Sequence, residues 1–166
     1  MILRMSIETF TLVHVILSLI GIAAGLVVLG GMLGSKRLEG WTAVFLATTI
    51  LTSVTGFLFP FTRIGPPHVF GAISLPVLGL ALVALYGRRL QGAWRWLYVV
   101  GALVALYLNV FVGVVQAFLK LPFLTALAPT QSEPPFVIVQ LLVLAVFVVL
   151  GFRAVSRFRP TPSTPW

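Results

Sequence analysis

The chain has 166 residues, of which 60% are hydrophobic and only 8% charged, against about 25% charged in ordinary soluble domains. Too little polar surface remains to coat a water-soluble core, so an ordinary soluble fold is excluded. The formal charge of +8 sits at the ends of apolar runs, which argues for lipid headgroups and against nucleic acid as the partner, and the absence of cysteine excludes disulfides, thiol catalysis and Cys-ligated metal clusters.

Five apolar runs follow one another at 10–33, 42–60, 69–86, 97–119 and 136–152. Each approaches the ~20 residues that a helix needs to cross ~30 Å of hydrocarbon. They predict an all-α polytopic membrane bundle of five transmembrane helices, occupying residues 1–159 as a single domain, with a disordered cytoplasmic tail at 160–166.

The first run, Phe10 to Leu33, exceeds the ~7–15-residue core of a signal peptide and is read as a retained helix. It carries Gly21 and Gly25, then Gly30 and Gly34, as two G-x-x-x-G pairs. Such patches let helices approach closely in lipid, either within the chain or across a homo-oligomer. The second run carries a stripe of Thr48, Thr52 and Thr55 and closes at Pro60. Pro66-Pro67 are placed to open the third helix, and Pro76 inside it predicts a kink. The fourth run carries Asn109, Gly113 and Gln116. A long loop, 120–135, includes a short helix expected near Phe123 to Ala128. Pro134-Pro135 then open the fifth helix, and the tail reads PTPSTPW.

Loop charges set the orientation. Lys36, Arg37, Arg88, Arg89, Arg95, Arg153, Arg157 and Arg159 belong to alternate connections, whereas Arg4, Arg63 and Lys120 belong to the others. Basic loops favour the cytoplasm, so the N-terminus is expected outside and the C-terminus inside. Trp41, Tyr86, Trp94, Trp96 and Tyr98 flank the same inner loops, where their rings suit the headgroup layer.

Polar residues inside the runs carry the functional signal, because an uncompensated polar group in hydrocarbon is costly. His14, Ser18, Gly21 and Gly25 share one helical face. At ~1.5 Å rise per residue, His14, Gln116 and Gln140 lie roughly 5–8 Å below the outer boundary, with Thr55 at a similar level and Asn109 near the middle. Four helices thus bring polar groups to the outer half, while the inner half is Val, Leu, Ala and Gly. A pore would be polar through both leaflets, so an outward-facing polar pocket is expected. Its candidate ligand-binding residues are His14, Asn109, Gln116 and Gln140 within the spans, bordered by Glu8, Arg63, His68 and Glu133. Each has a structural alternative: back-bonded threonine, interhelical hydrogen bonds, or acidic residues favouring a helix N-terminus.

The stretches NVFVGVVQAF (109–118) and APTQSEPPF (128–136), with TGFLFPF (55–61) and PPH (66–68), resemble a family of small bacterial inner-membrane proteins to which no activity attaches. The resemblance spans residues 5 to 152. It implies a multi-pass bacterial inner-membrane location and a compact helical bundle, and nothing about chemistry.

Three functions compete. The first is binding of a small amphipathic ligand, lipid or quinone-like, in the outer pocket. The second is a redox protein holding haem between His14 and His68, or a metal with Glu8 or Glu133. The third is an accessory subunit of a membrane complex, or a small transporter. An enzyme is disfavoured: no nucleophile–base motif, phosphate loop or acid pair is present, and the acids Glu8, Glu39 and Glu133 all avoid the span interiors.

Overall fold

In the computed structural model, residues 5–59 and 66–160 are described, with only the backbone of Pro66 and Pro67. Arg4, Pro60, Arg63 and the tail from Thr161 onward lie outside them. Six α-helices follow in order: α1 Ile7–Leu33, α2 Glu39–Gly56, α3 Pro66–Leu82, α4 Trp94–Lys120, the short α5 Pro122–Leu127, and α6 Pro134–Arg157. A π-turn, Val83–Gly87, prolongs α3.

Among the described residues, four stretches are long and apolar enough to cross a membrane: Ile7–Leu33, His68–Gly87, Trp94–Lys120 and Pro134–Arg157. The fifth, α2, is marginal for a physical reason. It has 18 residues, begins at Glu39, and carries Thr42, Thr48, Thr49, Thr52, Ser53 and Thr55. Its apolar character is diluted by the very residues that mark its buried faces.

The helix boundaries follow local chemistry. Ser6 caps α1, its hydroxyl accepting from the Thr9 amide at 3.1 Å, with Glu8 in the first turn. Pro134 opens α6, where a missing N–H costs nothing. α1 ends at Gly34, whose amide reaches back to Gly30 and Gly31.

Neighbouring helices run antiparallel. Facing pairs descend on α1 as they climb on α2: His14 with Thr55, Gly21 with Thr49, Gly25 with Phe45 and Gly31 with Leu38. Gly71 meets Phe57 and Ser53 across α2–α3, and Gly101 meets Ala81 and the Val77 carbonyl across α3–α4. The core thus runs between α1, α2, α3 and α4, through Phe45, Leu46, Leu78, Ala81, Ala102 and Leu106. α6 leans on α4 from outside and buries only Gln140 and Ala154.

The first glycine pair is committed inside the chain. A Cβ on Gly25 would stand 2.5 Å from Leu106 and 2.9 Å from the Phe45 ring, and one on Gly21 3.1 Å from Thr49 and Asn109. Of the two readings of these glycines, Gly21 and Gly25 take the within-chain one, covered by α2 and α4. Gly30 meets nothing within 4 Å, and Gly34 only its own helix backbone.

The basic segments gather at one end. The Arg95 guanidinium donates from Nη1 to the carbonyls of Val155 (2.9 Å) and Phe158 (2.6 Å), closing the C-terminus of α6. The Arg159 amide donates to Ser35 Oγ at 2.9 Å, and Phe158 packs against Tyr98. Arg88 lies over Trp94 at 5.1 Å.

Candidate functional site

Polar residues of the membrane-depth segments form two groups, on opposite sides of α4. The first is a seam between α1 and α2, closed by α4. His14 Nδ1 and Thr55 Oγ1 are 2.8 Å apart, and the Thr55 hydroxyl also lies 2.7 Å from the Leu51 carbonyl. That carbonyl is the acceptor for the Thr55 proton in one arrangement; His14 then donates from Nδ1. The Phe59 ring stands edge-on to the imidazole, centroids 5.2 Å apart, and Phe10 packs on Phe59 at 4.9 Å. One turn deeper, Ser18 Oγ donates to Asn109 Oδ1 at 2.9 Å. Deeper still, Gly21 lies between Thr48, Thr49 and Asn109.

The seam is tightly closed but not fully paired. Thr49 Oγ1, Thr52 Oγ1 and Asn109 Nδ2 are buried and make no hydrogen bond within the described residues. In a membrane-embedded bundle such groups have no bulk water to turn to.

The second group lies between α4 and α6. Gln140 Nε2 donates to the Phe111 carbonyl at 3.2 Å, while its Oε1 is buried and unpaired. Asn109 and Phe111 are two residues apart, which turns them about 200° around the helix. Gln140 and Asn109 therefore face different neighbours, and the structure does not bring them together.

The remaining candidates stand apart. Gln116 is exposed on α4, and Glu8 is exposed at the start of α1. His68 packs edge-on against Phe57 at 5.9 Å. Arg63 lies outside the described residues. The Glu133 carboxylate folds back on its own loop, accepting from the Thr130 amide (3.1 Å), the Thr130 hydroxyl (2.9 Å) and the Ser132 amide (3.1 Å). Partial loss of hydration pushes this carboxyl up, but the hydrogen bonds together hold it below the ordinary carboxylate range. Among the described residues no group of three His, Cys, Asp or Glu is placed to hold a metal ion.

An open space of ligand size lies elsewhere. A groove of about 510 Å³ runs between α4 and α6, bounded by Val100, Leu103 and Tyr107 on one side and Phe147, Gly151 and Val155 on the other. That volume falls in the ~300–1,000 Å³ range of small-molecule sites. Its walls are apolar apart from the Tyr107 hydroxyl, and it occupies the half of the bundle nearest the basic end. It stays open to the surroundings, as Val148 at 47% and Phe152 at 75% exposure show. A separate packing gap beside Gly25, Phe45 and Leu106 has no space for water.

Sequence reasoning missed the groove and Arg95. The signal for Arg95 was present: it opens the fourth run, and an antiparallel fifth run must end beside it. The groove carried no such signal, because its residues look like any lipid-facing stripe.

Compared with known proteins, the chain matches no family model, no curated sequence and no solved structure.

Proposed function

We propose that this is a five-span bacterial inner-membrane protein, N-terminus outside and basic end in the cytoplasm, that binds an amphipathic molecule from the bilayer. α2 counts as the fifth span because its packing between α1 and α3 gives its Thr and Ser hydroxyls partners or helix neighbours rather than lipid. The observation that carries the binding reading is the groove. It is apolar, open to the side and of ligand size, and it follows α6, a helix otherwise held at few points. The α4–α6 groove, and not the polar seam, is the proposed binding site. The seam, tied as His14–Thr55 and Ser18–Asn109, locks α1, α2 and α4 together.

Two measurements test this. The chain has no cysteine, so single cysteines at Glu8 and Pro160, near opposite ends of the five proposed spans, report topology against a membrane-impermeant thiol reagent. Labelling of Glu8→Cys from outside and Pro160→Cys only after permeabilisation is expected; labelling of both from one side overturns the odd span count. Native mass spectrometry of gently solubilised protein should show retained lipid-sized adducts that Gly151→Phe, which fills the groove, removes. Equal adducts on both proteins overturn the groove as the binding site.

A further inference from the structure

Resting on that reading, we propose that the occupant is an anionic phospholipid, its acyl chain along the groove and its phosphate between Arg95 and Arg159. The groove ends at Val155, whose carbonyl is one of the two that Arg95 holds. The guanidinium therefore stands at the rim. Nη1 gives its two hydrogens to the carbonyls of Val155 and Phe158, and the fork carries three more N–H donors. Arg159 is exposed, four residues beyond Val155, and its backbone is pinned to Ser35.

Four other cations are turned aside or engaged. Arg157 is two residues from Val155, about 200° around α6, and Arg153 is two from both Gly151 and Val155, though next to Phe152. Arg88 lies over Trp94, and Arg37 pairs with Glu39 at 3.3 Å. Among the described residues neither Arg95 nor Arg159 has a carboxylate in ion-pair reach. Two unpaired cations at the mouth of an apolar groove complement a lipid with a negative head and a long chain, and no neutral one as well. Trp96, 44% exposed and one turn before Val100, stands where an indole meets the headgroup layer.

The test uses full-length protein carrying a single fluorophore at Val148→Cys, reconstituted in phosphatidylcholine nanodiscs. Chain-brominated phosphatidylglycerol and chain-brominated phosphatidylcholine are titrated separately as quenchers. Phosphatidylglycerol should quench at an about fivefold lower fraction, and Arg159→Gln should bring it to the phosphatidylcholine curve. Gly151→Phe should weaken quenching by both. Equal quenching by the two lipids in the unaltered groove overturns the anionic headgroup while sparing the amphiphile reading. Quenching by both that Gly151→Phe leaves unchanged overturns the groove reading itself. Arg159→Gln without effect on the phosphatidylglycerol curve overturns the placement of the phosphate.

Discussion

The Ser18 hydroxyl donates to the Asn109 carboxamide oxygen across 2.9 Å, joining residues 91 positions apart and fastening α1 to α4 at mid-bundle. The bond fixes how deep α4 sits against α1, because the next contact along α1 is Gly21, where a Cβ would already lie 3.1 Å from Asn109 Nδ2. Interhelical hydrogen bonds in membranes contribute about 0.6 kcal/mol on average and up to about 1.7 kcal/mol. Ser18→Ala should cost an amount in that range, since it leaves Oδ1 unpaired. Asn109→Leu should cost less, because it also removes the unpaired Nδ2. A double-mutant cycle in reversible unfolding checks this; no coupling between the two sites would show that the bond contributes nothing.

The glycines of α1 give a contrast within one helix. Gly25→Ala drives a methyl group into Leu106 and Phe45, and overpacking of this kind costs about 1–3 kcal/mol. Gly30→Ala meets nothing and gains helix propensity of roughly 0.8–1 kcal/mol. Thermal unfolding in detergent should therefore move down for the first and stay level or rise for the second. Equal destabilisation by both would place a neighbour against Gly30 that the single chain lacks.

Hydropathy and charge made the helices, their antiparallel order and the clustering of basic loops legible, because these depend on position along the chain. Depth was legible for the same reason: Thr55 and His14 do meet at one level. Azimuth was not. Depth alone groups Asn109 and Gln140 in one pocket, yet α4 turns Asn109 toward Ser18 and presents the Phe111 carbonyl to Gln140. Position in the sequence puts Glu133 at the rim, while three local hydrogen bonds close its carboxylate into its own turn. α2 shows the opposite limit: its threonines lower its apolar signal while its packing places it at the centre.

Arg95 should matter for stability independently of any lipid. Arg95→Ala removes two bonds to the last carbonyls of α6 and a positive charge at the negative end of that helix. Allowing for partial exposure, the loss should be about 1–2 kcal/mol. Hydrogen exchange should speed up at residues 155–159 first. Arg95→Lys should fall between, since one ammonium keeps the charge but not the fork. Unchanged exchange in Arg95→Ala would show that Phe158, packed on Tyr98, holds the end without it.

The loop before α6 should respond to acid. The Glu133 carboxyl is held below its ordinary value by the Thr130 and Ser132 groups that donate to it, against the upward push of partial burial. A carboxyl depressed in the folded state contributes stability that is present above its unfolded value and is lost as pH falls through the lower folded one. The turn should thus stay closed through the ordinary carboxylate range and open below it. Hydrogen exchange at the Thr130 and Ser132 amides, corrected for intrinsic pH dependence, reads this directly. Glu133→Gln should make those amides exchange faster at neutral pH and flatten the response. A response that survives Glu133→Gln would assign the titration to another group.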